Sequence, residues 1–268
     1  MKRSFVLGVL VLGYAAGCGG SQPTETGAPA PEAGTAPAPP AAEVAQSVQP
    51  VGPPSFTGTV TFDGTAPKLA PLTMNADPDC AKMHSGPVPS PMLVLGSGNT
   101  MANIMVSVSD GLPAGRTWTV PAAPVTLDQN GCQYEPHVMG IMVGQPYRIL
   151  NSDGILHNIH TLPKINQTFN QGMPATLKET TTTFEKPEPV FQIKCDVHPW
   201  MSAYIGVFTH PFFSVTGTDG KFTISGLDPG TYEITAWHER LGTQTASVTV
   251  GADETKVQDF TFAAPGTK

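Results

Sequence analysis

A thiol, an imidazole and a thioether stand within seven residues of one another in the segment VFQIKCDVHPWM. Cys195, His198 and Met201 follow the spacing Cys-x2-His-x2-Met. Thiolate and imidazole are strong ligands for copper. Two imidazoles, one thiolate and a long axial Met bond make the donor set of a mononuclear trigonal copper centre. This set needs a second imidazole, and the segment PYRILNSDGILHNIH offers His157 and His160. Residues three apart on a strand point to opposite faces, so only one of the two can join the centre. Asn158 directly follows His157 and can hydrogen-bond the ligand loop, fixing the orientation of a ligand beside it. The expected ligands are therefore His157, Cys195, His198 and Met201, with Asn158 as their support.

Such ligands must be carried by elements that bring distant segments together. Phe191, Ile193 and Cys195 alternate along one face of an apolar strand, so Cys195 points inward at the strand's end. His198 and Met201 sit on a short loop with Pro199, and an apolar strand resumes at Tyr204. Period-two alternation begins at Phe56, with Phe56, Val60 and Phe62 set between threonines, and recurs at Ile104, Val106 and Val108. Short apolar runs follow at Trp118–Val120, Val138–Val143, Tyr147–Leu150, Val190–Cys195 and Ala203–Phe208. Regular short strands separated by turns such as SDG, DQNG and PAAP predict an all-β sandwich or barrel. No long amphipathic helix is visible.

The strand ending in HN, with CDVHPWM one strand pair later, resembles the cupredoxins, the small blue copper proteins. The short ligand loop is most similar to that of the amicyanins. The resemblance covers about residues 140–208. It implies a Greek-key β-sandwich, with His157, Cys195 and His198 as equatorial ligands of one type 1 copper ion and Met201 as the axial ligand. It also implies outer-sphere, one-electron transfer with redox partner proteins. The edge of His198, beside Pro199 and Trp200, would be the exit, reaching through an apolar docking patch. A site filled by four protein ligands keeps no open position for substrate, so no enzymatic activity is expected. The same ligands would also serve a copper scavenger, chaperone or sensor that exchanges metal rather than electrons. The preceding 80 or so residues, Phe56 to His137, have no counterpart in amicyanin, so its partner is not carried over.

A second unit begins near Pro211. FFSVTGTDGKFTISGLDPGTYEITAWHE places strands around TDG and DPG turns, and ASVTV and VQDFTF follow. It resembles the carboxypeptidase regulatory-like, transthyretin-like β-sandwich modules, whose role is structural or adhesive. At about 55 residues it is short enough to need a strand from the preceding domain. The whole layout is also similar to secreted bacterial proteins labelled as methylamine-utilisation proteins.

The first residues read as export signals. Lys2 and Arg3 precede an apolar run, Ser4 to Gly17, too short for a spanning helix of ~20 residues. It ends in AAGC, which resembles the lipobox of bacterial lipoproteins and implies cleavage before Cys18 and lipidation of its thiol. Gly19 in the next position favours the outer membrane by the family's rules. Residues 19–54, rich in Pro, Ala and Gly, read as an extended tether reaching up to about 110 Å at ~3.1 Å per residue. The expected organisation is a signal peptide (1–17), a lipidated Cys18 with its linker (18–54), a copper domain with an N-terminal extension (55–210) and the module (211–268). The expected place is the periplasm or cell surface, anchored to the membrane by lipid.

Three cysteines remain after Cys18. An oxidising compartment permits a disulfide, and three thiols leave one over. Cys80 and Cys132 each lie near a His, in CAKMH and CQYEPH, so the pair reads as a disulfide bracing the extension or, alternatively, as a second copper or redox site. The disulfide is the reading taken. His210 and His238 lie outside the motif and read as ordinary. The net charge of −7 among 268 residues, with no run of Lys or Arg, excludes a nucleic-acid partner. Loss of Lys2 and Arg3 makes it −7 − 2 = −9.

Overall fold

A computed structural model describes residue 52 and residues 54–264. The segment expected to be a signal peptide, Cys18 and nearly all of the expected 18–54 linker lie outside the described residues. Pro54, assigned above to the linker, already belongs to a strand. Two strands lead: β1 (Pro54–Asp63) and β2 (Met105–Asp110), separated by the five-residue helix α1 (Pro78–Lys82). Nine strands follow: β3 (Val125–Asn130), β4 (Gln133–Glu135), β5 (Val138–Met142), β6 (Tyr147–Asn151), β7 (His157–Thr161), β8 (Asn170–Met173), β9 (Glu179–Thr182), β10 (Glu188–Lys194) and β11 (Ser202–Phe208). Six close the chain: β12 (Phe213–Val215), β13 (Lys221–Ser225), β14 (Gly230–His238), β15 (Gly242–Val250), β16 (Lys256–Val257) and β17 (Phe260–Ala263).

The fold is all-β, built as two sandwiches. The first packs the five-stranded sheet β5-β11-β10-β7-β8 on the four-stranded sheet β4-β3-β6-β9. Its strands show the expected alternation. β3 and β6 bury every second residue, so Val125, Leu127, Tyr147 and Ile149 enter the core while Thr126 and Arg148 remain partly accessible. Burying these β-branched and aromatic side chains is what draws the two sheets together.

The second sandwich borrows from the preceding segment, as its short length predicts, but it takes two strands rather than one, so the 210/211 boundary does not separate the sandwiches. Its sheets are β13-β1-β16, with β17 also on β1, and β12-β2-β14-β15. Strands β1 and β2, placed above in the 55–210 segment, therefore pair with strands of the 211–268 segment. β1 takes β13 as an antiparallel partner and runs parallel to β16 and β17. β2 lies antiparallel to both β12 and β14. The physical reason is an unfilled core. The apolar residues of 211–268, among them Phe222, Ile224, Tyr232 and Ile234, are joined in one core by Phe56, Val60, Phe62, Val106 and Val108.

Trp118–Val120 does not form a strand. Pro121 follows directly and removes a backbone donor. Trp118 instead packs edge-on against Phe212, with Arg116 over its ring. Strands β4, β8 and β9 lack a strong apolar pattern and were not separately visible in the sequence.

The sandwiches share a wall. β5 is buried along its whole length. Met139 and Ile141 face the first core, whereas Val138 and Met142 meet Met105 and Phe213 on the other side. Gly140 makes this approach possible, because a Cβ there would lie 2.5 Å from the Phe213 ring. Nearby, the buried His137 bridges the Ser202 carbonyl at 3.0 Å and the Glu239 carboxylate at 2.6 Å, linking both sandwiches by polar contact. Gly140→Ala forces a rigid ring to move, and overpacking of this kind costs about 1–3 kcal/mol. Chemical denaturation should show that loss without a change in the all-β circular-dichroism signature.

Candidate metal centre

β7 and β10 lie antiparallel, with Lys194 opposite His160 and Ile193 opposite Thr161. This register brings the start of β7 and the end of β10 to one end of the sheet. His157 opens β7, Cys195 follows β10, and the β10–β11 loop carries His198 and Met201. The loop is closed by main-chain bonds from Cys195 N to the Met201 carbonyl (3.2 Å) and from Met201 N to the His198 carbonyl (3.0 Å). Asn158 ties the two segments: its side-chain carbonyl accepts from Asp196 N at 3.0 Å.

One donor atom from each of His157, Cys195 and His198 lies within 4.8 Å of the others, and all three residues are buried. The imidazoles meet through their Nδ1 atoms, 2.9 Å apart. The Cys195 Sγ is 3.8 Å from His198 Nδ1. Metal–nitrogen bonds of about 2.0 Å and a metal–thiolate bond of about 2.3 Å span separations of this size. The donor set therefore fits one small, thiophilic ion. Met201 is 1% exposed and packs in the same core. Cys195 is free, and Cys80 and Cys132 form a disulfide. His160 lies outside the cluster, paired with Asp196 at 2.8 Å.

Each of these two imidazoles also has a carboxylate on its far nitrogen. His157 Nε2 is 2.7 Å from Asp153 Oδ2, with little of either side chain exposed. His198 Nε2 is 3.0 Å from Asp77 Oδ2. Taking the Nε2–H of a ring in this way leaves its Nδ1 for a metal and fixes the ring's direction. Asp153 is itself held. Gly131 and Cys132, consecutive residues with positive φ of 61° and 54°, aim their N–H groups at its two oxygens, at 2.6 and 2.8 Å. Burial opposes ionisation of Asp153, but His157 and these two donors outweigh it and hold its carboxyl below the usual range.

The thiol and the imidazole shift each other in opposite directions. Burial pushes the Cys195 thiol up. Hydrogen bonding to His157, and backbone N–H groups including His198 N at 3.4 Å, bring it below its ordinary value. Burial disfavours a charged His157, yet its bonds to Asp153 and Cys195 raise it to about 9. Both nitrogens of His157 thus have partners, Nε2 at Asp153 and Nδ1 at the second ring. Tyr134, buried behind the site, donates its hydroxyl to the Asn158 carbonyl, and burial keeps it protonated.

Two expectations change here. His198 does not reach through an apolar patch. It is 1% exposed, and Asp77, the Cys80 sulfur at 3.6 Å and the Trp200 ring cover it. The cause is the N-terminal extension, which lies over the ligand loop. Asp77 and Asp153 were also missed. In the sequence Asp153 is one residue of a turn, SDG, and Asp77 is a helix-capping aspartate in DPDC. Local pattern reveals the cap but not a partner 121 residues away.

The carboxypeptidase regulatory-like domain model matches residues 206–263, from within β11 to the end of β17. No curated protein matches the chain. Among solved structures, the chain is similar to a copper-containing nitrite reductase from Thermus scotoductus SA-01, at 22% identity and a TM-score of 0.28 over 37% of this chain and 25% of that one. It is similar to a Cu(I) form of an amicyanin variant at 17% identity and a TM-score of 0.29, over 38% and 98% of the two chains. It is also similar to a purple cupredoxin from Nitrosopumilus maritimus, at 22% identity and a TM-score of 0.27 over 31% and 98%.

A metal at His157 Nδ1 must displace the proton that His157 carries below pH about 9. Copper uptake from weakly buffered solution should release about one proton per ion from His157 near neutral pH. Above pH ~9 that release disappears. Potentiometric titration of the metal-free protein during loading measures it. Asp153→Asn, which removes the charge supporting the imidazolium, should move the loss of proton release to lower pH.

Proposed function

We propose that this chain is a type 1 copper protein, a one-electron carrier of the bacterial cell envelope, tethered to the membrane through a lipidated Cys18. The observation that carries the reading is the donor cluster. Two imidazole Nδ1 atoms face the buried Cys195 thiol, and both rings are locked from behind by carboxylates. Bound copper would supply the Cu(I)/Cu(II) couple.

The residues would do the remainder. His157, Cys195 and His198 hold the ion, and Met201, at the closing turn of the loop, provides the thioether. The strand pairing and the Asn158 bond keep the donors in place, so little has to move when one charge comes or goes. Burial excludes water and substrate from the donors, which supports a carrier over an enzyme. A cover over His198 opposes rapid metal exchange, which supports a carrier over a scavenger, chaperone or sensor. Electrons would pass to and from partner proteins through nearby side chains, with Trp200, partly exposed and 5.1 Å from the His198 ring, as the accessible neighbour.

The test is spectroscopic. The purified protein loaded with Cu(II) should show intense visible absorption from thiolate-to-copper charge transfer, and Cys195→Ser should abolish it. A folded, copper-loaded, colourless wild-type protein would overturn the reading. Fast oxidation and reduction by a small redox dye, together with slow copper loss to a chelator, separates the carrier from a metal-delivery protein.

A further inference from the structure

The segment between β1 and β2 does more than precede the metal sandwich. Asp77 is the N-cap of α1: its Oδ1 accepts from Asp79 N at 2.9 Å and from Cys80 N at 3.4 Å. With Oδ1 engaged, Oδ2 is directed at His198 Nε2, 3.0 Å away. The next turn of chain is fixed by the Cys80–Cys132 disulfide, and the Asp77 N–H donates to the Met74 carbonyl at 3.0 Å. The far side of the disulfide is bonded to the ligand loop, because Trp200 Nε1 donates to the Cys132 carbonyl at 3.1 Å. Cys132 N also holds Asp153, the carboxylate behind His157. The outer partners of the two imidazoles, Asp77 and Asp153, are therefore held by two short stretches, 77–80 and 131–132, and one covalent bond joins those stretches.

We propose that this segment is a built-in cover of the metal centre and that Asp77 is the positioning residue for His198: its carboxylate takes the Nε2–H, directs the Nδ1 lone pair toward His157 and Cys195, and prevents the ring from turning away when the ion is exchanged. The inference rests on the copper reading for its consequence, but the hydrogen bond itself belongs to the metal-free chain. A ring without this partner can rotate about its Cβ–Cγ bond and present either nitrogen. Outer carboxylates of this kind typically change metal affinity 10–100-fold.

Asp77→Ser separates positioning from helix capping. Serine is a good N-cap, so α1 keeps its start. Its single oxygen, used on Asp79 N, does not reach His198. Long-range proton–nitrogen NMR of the metal-free, histidine-labelled protein should show His198 protonated at Nε2 in the wild type and a mixture of ring forms in Asp77→Ser. Copper-loaded Asp77→Ser should lose copper to a strong chelator about 10–100-fold faster than wild type. Its reduction potential should rise, because a negative charge beside the oxidised site has gone. Asp79→Ala, which removes an exposed carboxylate paired with Lys82 in the same helix, should change none of these. Asp77→Ser matching wild type in ring form, release rate and potential would overturn the proposal and reduce Asp77 to a cap. A wild-type protein with the Nε2 form but no copper colour would instead sink the copper reading and leave the Asp77–His198 contact standing.

Discussion

A buried thiol facing two imidazoles, each backed by a carboxylate, is the interaction on which the rest of this protein turns. Taking such charge out of water is costly unless every group has a partner. The chain answers with a closed series of contacts: Asp153 to His157, His157 toward His198 and Cys195, His198 to Asp77, and backbone N–H groups to the sulfur. Each member points the next. The arrangement is pre-set for a cation at its centre, because the outward nitrogens are occupied and the inward atoms converge. Removing one carboxylate would leave a polar group buried and a ring free to turn.

The β-sheets act as a jig for this series. The β7–β10 register decides that His157 and Cys195 share one end of the sheet and that His160 faces elsewhere, onto Asp196. Neighbouring strands are stiff relative to a loop, and the loop that carries His198 and Met201 is bonded back to Cys195 at its closing turn. Tyr134 and Trp200 fill the space around it with aromatic surface, each fixed by a hydrogen bond to a main-chain carbonyl.

The meeting of Cys195 and His198 was legible in the sequence because their spacing is local and their chemistry is narrow, and Met201 is buried on the same loop. His157 was legible only through its neighbour Asn158, whose side chain holds Asp196 N in the fold. The all-β class followed from alternation that needs only adjacent residues. What could not be read was anything set by long-range register. Asp77 meets His198 across 121 positions, and nothing in DPDC distinguishes an aspartate that only caps from one that also binds. The pairing of β1 with β13 and β17 is equally non-local, so Phe56 and Phe62 look like part of whichever domain comes next. The open edge expected for His198 failed for the same reason: the relevant cover lies in a stretch with few apolar residues and no strong periodicity.

The order of strands has a consequence for biogenesis. β1 and β2 emerge before the first sandwich, and the strands that complete their sheets emerge after it. The first sandwich is thus a guest threaded into a host that remains half-built until the last strand has been made. Until then, Phe56, Val60 and Phe62 have no core to enter. The host can close only by joining segments separated by well over a hundred residues, the slowest kind of contact for a chain to find. A guest that folds early would help, since it holds its two ends near one another and shortens that search.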